Sequence, residues 1–244
     1  MSLQKLKDFL DQQNVKYVTI THSPAFKAQA IFFTPFLLLL TLKRLIPWQG
    51  YLAVPVIYLV MMIPALLAGR TLPSVLSVYL NQAGTYRALS MHAPNPYLFI
   101  SNDWYKPALL LGIVIAVLIT LVWVIGYNWK IKELNKEILL ICATVSVSLT
   151  PFILPKMHER YFYLMDVFTF LLAFYIPRFW LPAFLSQIVS VLTYSIFLFA
   201  PARISIAVRN DLFLLLAVCI NSVLIAYLLW KQWKMTLGAE KPKP

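Results

Sequence analysis

Long hydrophobic runs, interrupted by short polar breaks, make up most of the chain. No charged residue occurs in residues 51–69, 107–127, 138–155, 180–200 or 212–230. A helix needs about 20 mostly apolar residues to cross the hydrocarbon of a bilayer. In lipid the backbone must satisfy its own hydrogen bonds, which a lone strand cannot do. The pattern therefore predicts five transmembrane helices.

Two shorter hydrophobic runs decide whether the number of transmembrane helices is larger than five. Residues 28–42 lie between Lys27 and Lys43, and residues 161–177 lie between two arginines and include Asp166. We interpret both runs as helices, because a strand in lipid would leave its backbone unsatisfied. The predicted fold is all-α: a polytopic transmembrane helical bundle with six or seven spans.

The two ends of the chain differ from this hydrophobic middle. Residues 1–27 contain charges throughout, and their apolar positions suit a helix followed by a short strand, so we expect a non-membrane segment. Residues 28–230 are predicted to form the transmembrane domain, with an outer loop at residues 70–106. Residues 231–244 are basic, and we expect a disordered tail there.

Composition and charge agree with a membrane protein. The chain is 61% hydrophobic and 12% charged, whereas about a quarter of the residues of a soluble domain are charged. The net charge of +12 does not indicate a nucleic-acid partner, because the basic residues lie in small groups at the ends of hydrophobic runs, as membrane anchors do. We expect membrane lipid as a partner and no nucleic acid. Cys142 and Cys219 fall inside hydrophobic runs, which predicts packing and no disulfide.

The basic residues also sort the loops into two faces, since successive spans alternate in direction. One side, face B, carries ten of them: Lys43, Arg44, Lys130, Lys132, Lys136, Arg178, Lys231, Lys234, Lys241 and Lys243. The other side, face A, carries seven after residue 27: Arg70, Arg87, Lys106, Lys156, Arg160, Arg203 and Arg209. The positive-inside rule favours face B as the cytoplasmic side. The long loop 70–106 and the turn at 156–160 then share face A, where we expect a concave site.

The densest set of chemical groups lies in one turn between two spans. Lys156 and Arg160 are suited to bind a phosphate, Arg160 through its two-pronged donor geometry. His158 is suited to donate to a phosphate oxygen or to transfer a proton. Glu159 is placed to orient Arg160 or to act as a base. Ionisable groups near membrane depth usually have a function, and anchoring by Lys, Arg and Tyr161 at a helix end is the alternative.

A second candidate lies in the long loop. Asn81, Gln82, Tyr86 and Arg87 offer sugar-type hydrogen bonds and one more cation for a phosphate; an ordinary outer loop is the alternative interpretation. Carboxylates for acid–base work are few on face A. Among them we take Glu159 and Asp103 as candidates for a catalytic carboxylate, and the catalytic residue itself stays open.

Other chemistries are not indicated by the sequence. The glycines are scattered and form no phosphate-binding loop. Histidine and cysteine do not occur at metal-ligand spacing. We therefore expect no metal, and no cofactor beyond a possible lipid-linked substrate.

Four stretches resemble a known family of membrane proteins. They are residues 26–32 (FKAQAIF), 79–86 (YLNQAGTY), 93–95 (APN) and, most specifically, 154–163 (LPKMHERYFY). From about Phe26 to Trp230 the chain is similar to the C-terminal half of GT-C superfamily membrane glycosyltransferases. Within that superfamily it most resembles the bacterial mannosyltransferases related to the GPI mannosyltransferase II family.

The resemblance implies a specific activity. It implies transfer of a hexose, mannose in this family, from a polyprenyl- or dolichyl-phosphate sugar donor at the outer face of a bacterial inner (plasma) membrane. The lipid-linked sugar phosphate is then the donor substrate. We expect two groups of residues to bind this donor: Lys156, His158, Glu159, Arg160 and Tyr161 in the turn, and Asn81, Gln82, Tyr86 and Arg87 in the loop.

The N-terminal segment resembles a different family. Residues 16–25 (KYVTITHSPA) are similar to the beginning of a YbaK-like prolyl-tRNA editing domain. GT-C enzymes carry their catalytic carboxylate in a first outer loop, which has no counterpart here. We therefore expect a truncated membrane glycosyltransferase, and whether it is an active enzyme stays open. The alternative is a catalytically inactive membrane fragment that binds lipid or a partner subunit. A small transporter ranks last, because no internal repeat is visible.

Overall fold

The computed structural model describes residues 28–77, 87–132, 134–198 and 206–237. Within these ranges α-helices dominate, and the predicted all-α class is confirmed. Residues 1–27 and 238–244, and the binding candidates Asn81, Gln82 and Tyr86, lie outside the described residues. In chain order the helices are α1 (Thr34–Leu42), α2 (Ala53–Leu67), α3 (Leu72–Leu76), α4 (Tyr105–Lys130), α5 (Lys136–Ile153), α6 (Tyr163–Tyr175), α7 (Trp180–Leu198) and α8 (Ile206–Thr236).

Short elements connect these helices. Two-residue strands, β1 (Ser90–Met91) and β2 (Met157–His158), form a parallel pair on face A. Single turns of 3-10 helix precede or follow several α-helices, at Ala28–Phe33, Trp48–Leu52, Pro96–Phe99, Asn102–Trp104, Glu159–Phe162 and Pro177–Phe179.

In the described ranges, four helical segments are long and apolar enough to cross a membrane: Trp48–Leu67, Asn102–Lys130, Lys136–Ile153 and Asp211–Thr236. The chain is therefore an integral membrane protein. The two short hydrophobic runs form shorter helices, Ile31–Leu42 and α6. Residues 180–198 form α7, which contains no charged residue.

The helices differ in how far they are enclosed by the others. In α5, 61% of the span window is buried inside the bundle, whereas in the span that contains α2 the share is 6%. Large apolar side chains such as Val54, Leu59 and Val122 are more than half exposed. Such surfaces are stable in contact with lipid, because the exposure of a large apolar area to water is unfavourable. The bundle is therefore built around α5, with α2 at its lipid-facing edge.

Polar contacts in the interior join three helices at the level of Cys142. Gln232 of α8 is fully buried; its Oε1 accepts from Trp123 Nε1 at 3.0 Å and its Nε2 contacts Cys142 Sγ at 3.1 Å. Side-chain hydrogen bonds of this kind hold transmembrane helices together where the hydrophobic effect is absent.

Two predicted boundaries need correction. The tail was predicted to be disordered from residue 231, but α8 continues to Thr236, because Gln232 and Met235 pack inside the bundle. Residues 70–106 were predicted to form an outer loop, yet Ala93 and Asn95 are fully buried. The second difference shapes the candidate site.

Candidate functional site

The parallel pair β1–β2 joins the two polar segments of face A. Ser90 pairs with Met157 and Met91 pairs with His158, and an antiparallel bridge links His92 with His158. The Lys156 backbone N–H donates to Leu89 O at 2.7 Å. The long loop and the turn therefore contact each other directly, although more than 60 residues separate them in sequence.

Two residues of this junction have left-handed backbone conformations. The φ angles are 57° for His92 and 62° for Lys156. Non-glycine residues rarely adopt such angles, which cost about 1–3 kcal/mol and persist only where the surroundings hold them. His92 directly follows β1 and Lys156 directly precedes β2, so the strand pairing holds both residues and the backbone from which His158 and Glu159 project.

Buried side chains of the loop cap the end of α5. The last carbonyls of a helix have no partner inside the helix. Asn95 Nδ2 donates to Leu154 O at 3.2 Å and contacts Pro151 O at 3.5 Å. Tyr97 OH donates to Ile153 O at 2.9 Å. Burial raises the pKa of the Tyr97 phenol, so this hydroxyl keeps its proton and stays a donor.

The loop also reaches the middle of α8. Asn221, fully buried, donates from Nδ2 to Pro94 O at 2.7 Å. Asn221 lies about 15 Å along the helix axis from Asp211, where the apolar span begins, at 1.5 Å per residue. Irregular backbone at such depth is tolerated only where protein or a water-filled cavity surrounds it. Residues 93–97 therefore form a re-entrant segment that returns into the bundle.

His158 and Glu159 form the half-buried centre of the turn. His158 Nδ1 lies 3.9 Å from Glu159 Oε2, and the side chains are 16% and 12% exposed. Burial, followed by the charge of Arg160, lowers the pKa of His158; Glu159 opposes this shift and His92 adds to it. The imidazole is therefore neutral at pH 7, with one nitrogen able to donate and the other to accept.

Cations from both segments surround one aromatic ring. Arg87 Cζ lies 5.9 Å and Lys156 Nζ 5.6 Å from the ring centroid of Tyr105, the first residue of α4. Both distances are within the reach of a cation–π interaction. The structure thus brings Arg87 of the loop and Lys156 of the turn to the same place.

Arg160 and Tyr161 continue this surface. Arg160 is exposed, and its Cζ lies 6.0 Å from the Tyr161 ring. Tyr161 also contacts the His158 ring at 5.4 Å and the Phe32 ring at 5.9 Å between centroids. Phe32 is buried, so the Tyr161 ring is fixed on the bundle while Arg160 faces outward.

The second carboxylate candidate has a different environment. Asp103 is exposed, and its Oδ2 accepts from Ser101 Oγ at 2.7 Å. The Ser101 hydroxyl in turn accepts from the Asp103 backbone N–H at 3.2 Å. Ser101 therefore caps the turn before α4 and holds the Asp103 carboxylate, whereas Glu159 lies beside an imidazole. Asn81, Gln82 and Tyr86, which were predicted to complete the site, lie outside the described residues.

Several residues near the site were not singled out by sequence reasoning. His92 and Tyr105 are two of them. Nothing in the local sequence distinguishes them, because their roles come from contacts with residues 156–158. The Oδ1 atoms of the buried Asn95 and Asn221 have no hydrogen-bond partner among the described residues.

Asp166 has partners of its own inside the bundle. The hydroxyls of Ser186 and Ser190, one turn apart on α7, donate to its two carboxylate oxygens, Ser190 at 2.5 Å. The spacing of these serines was a possible signal, but it does not say which carboxylate they contact. In the part of the chain that the structure describes, no group of three His, Cys, Asp or Glu side chains is placed to hold a metal ion.

Comparison of the chain with protein-family models, with curated proteins and with solved structures gave no match. The resemblances to GT-C glycosyltransferases and to YbaK-like domains therefore stay predictions from the sequence.

Proposed function

We propose that the chain is a glycosyltransferase-type membrane protein that binds a polyprenyl-phosphate sugar, with mannose as the hexose, at face A. The observation that carries the proposal is the convergence of Arg87 and Lys156 on Tyr105, beside His158 and Glu159. The residues of the turn are also those in which the sequence most resembles the GT-C family.

The charges of this surface suit a phosphate. Arg87, Lys156 and Arg160 are contributed by two segments that are distant in sequence and are joined by the β1–β2 pair. Charged hydrogen bonds to phosphate are roughly twice as strong as neutral ones. The neutral His158 adds a donor without adding charge. Exposed apolar side chains near the start of α4, such as Leu110 and Leu111, allow a lipid-linked donor to approach from the bilayer.

A simple transfer step follows from this arrangement. An acceptor hydroxyl would attack the anomeric carbon, and the bond from that carbon to the phosphate oxygen would break. The polyprenyl phosphate would leave as an anion, stabilised by the cations, and the hydroxyl proton would pass to a base. Glu159 is our candidate for that base, because Asp103 is occupied by Ser101.

We further propose six or seven spans, with face A outside a bacterial inner membrane and face B in the cytoplasm. Four of these spans are the long apolar helical segments. The others are α7, the short α6 and the segment Ile31–Leu42. Single cysteines introduced at positions 87 and 132, and labelled from either side of the membrane, test this topology. Labelling of both from the same side would contradict it.

The decisive experiment measures sugar transfer from polyprenyl-phosphate mannose in membranes that contain the parent chain, Glu159→Gln, Arg160→Ala or the control Asp103→Asn. We expect the first two variants to lose transfer and the control to retain it. Equal activity in all four would remove the site assignment.

A second function is favoured by the position of Glu159, which is 12% exposed and lies against His158. In that arrangement the carboxylate would stabilise the turn, and the chain would bind lipid phosphate or a partner subunit without turnover. Donor binding by the parent with no transfer in any variant would support this alternative over catalysis.

A further inference from the structure

We propose that a groove between α1, α5 and α6 on face B holds one acyl chain of an anionic phospholipid, with the lipid phosphate on Lys136. The proposal is independent of the proposed function, because this groove opens at the opposite end of the bundle from the turn at 156–160.

The groove lies on the face B side of an aromatic contact between two helical segments. Phe33, which immediately precedes α1, packs edge-on against Phe168 of α6, with ring centroids 5.0 Å apart. Toward face B from this contact lies a cavity of about 380 Å³. That volume falls in the range of roughly 300–1,000 Å³ found for small-molecule sites. Its lining residues are Phe36, Lys136, Leu139, Leu140, Ala143 and Tyr175.

The dimensions favour an acyl chain over a protein segment. Lys136 and Ala143 lie about 10 Å apart along the axis of α5, at 1.5 Å per residue. A further helix is about 10 Å across with its side chains, which is too wide for a groove of this volume. A single flexible hydrocarbon chain fits, and the lining apart from Lys136 and the Tyr175 hydroxyl is apolar.

The charge at the mouth selects the headgroup. Lys136 is exposed at the first position of α5, where the positive end of the helix also attracts an anion. The described part of face B further includes Lys130 and Arg44. An anionic headgroup is attracted by these charges, whereas the amine of a zwitterionic headgroup is repelled by them.

Native mass spectrometry of the detergent-purified chain, titrated with phosphatidylglycerol or with phosphatidylcholine, tests the headgroup. We expect the parent to hold one phosphatidylglycerol and Lys136→Gln to bind it about tenfold more weakly. Lys132→Gln, a matched loss of charge on the same face, should bind like the parent. Equal weakening in both variants would mean nonspecific attraction and would overturn the proposal.

Filling the groove tests the acyl chain. Leu139→Trp should abolish phosphatidylglycerol binding, and Leu118→Trp, on the exposed surface of α4, should leave it unchanged. Undiminished binding in Leu139→Trp would overturn the proposal. If the larger side chain prevents folding, the Lys136→Gln comparison decides alone, because that side chain is exposed.

Discussion

The two ends of the bundle carry similar residues and use them differently. On face B three of the cations, Lys43, Lys130 and Lys234, contact fixed structural partners. Lys43 Nζ donates to Asn128 O at 2.6 Å and to Ile131 O at 2.5 Å, which caps the end of α4. Lys130 lies 2.7 Å from the ring centroid of Trp233, and Lys234 lies 4.2 Å from that of Trp230. These contacts are typical of anchoring at a membrane interface.

On face A, two cations from distant segments share the ring of Tyr105, and a half-buried imidazole and carboxylate lie in the same turn. Composition cannot separate an anchoring end from a binding end, because both contain lysine, arginine and large aromatic rings. The difference lies in whether the charged groups of separate segments converge. Three pairs of substitutions, with one member of each pair toward each end, and one pH experiment test this distinction.

The largest effect is expected for the two carboxylates. If face A is the reacting end, Glu159→Gln should lower sugar transfer from polyprenyl-phosphate mannose by about 10²–10⁴-fold, the usual contribution of a positioned base. Glu137→Gln, in the first turn of α5 on face B, should leave transfer unchanged. A loss of transfer in Glu137→Gln alone would reverse the assignment of the two ends.

Two glycines of α4 provide a stability test. A methyl group on Gly112 would lie 2.6 Å from the Tyr97 hydroxyl, whereas one on Gly126 would meet nothing within 4 Å. Gly112→Ala should therefore destabilise the fold by about 1–3 kcal/mol through overpacking. Gly126→Ala should be neutral or stabilise it by about 0.5–1 kcal/mol. Denaturant unfolding in detergent measures both, and equal stabilities would show that Tyr97 moves aside without cost.

A smaller effect is expected for two lysines. Lys156→Gln should weaken binding of a polyprenyl phosphate about tenfold, as expected for one charged hydrogen bond. Lys43→Gln should lower thermal stability, since two carbonyls lose their donor, and should not change the affinity. Equilibrium binding with a fluorescent polyprenyl phosphate measures the difference. Unchanged affinity in Lys156→Gln would argue that this lysine only anchors the turn.

The smallest effect concerns pH. The pKa of His158 is lowered in the folded chain, chiefly by burial, so the unfolded chain binds this proton more readily. Stability should then be fully present above the ordinary histidine pKa and should decrease as the pH falls below about 6.5. We expect a thermal midpoint that drops between pH 7 and pH 5, and a weaker drop in His158→Gln. Identical pH profiles would mean that His158 is not the group that titrates.

The sequence predicts the helices well where hydrophobic runs are long. The runs at 107–127 and 138–155 correspond to α4 and α5, because the length of an uncharged run and its need for internal hydrogen bonds leave few alternatives. The helix predicted for residues 161–177 is less accurate. Glu159–Phe162 forms a 3-10 turn, and α6 begins only at Tyr163.

The candidate site is predictable only in part. The density of ionisable groups at 156–160 identifies the turn, and alternation of the spans places the loop on the same face. The pairing of β1 with β2 is not predictable, since two-residue strands carry no periodic pattern. The return of Pro94 and Asn95 into the bundle is equally hidden, because their partners Asn221 and Leu154 lie in distant helices.

The contact between Pro94 and Asn221 bears on the order in which the protein is assembled. Asn221 belongs to α8, the last described helix, so the Pro94 carbonyl has no such donor until that helix has entered the bilayer. The loop and the turn can meet earlier in synthesis, but they are fully held in the bundle only when α8 is in place. The maturation of the polar surface on face A is then coupled to the insertion of α8.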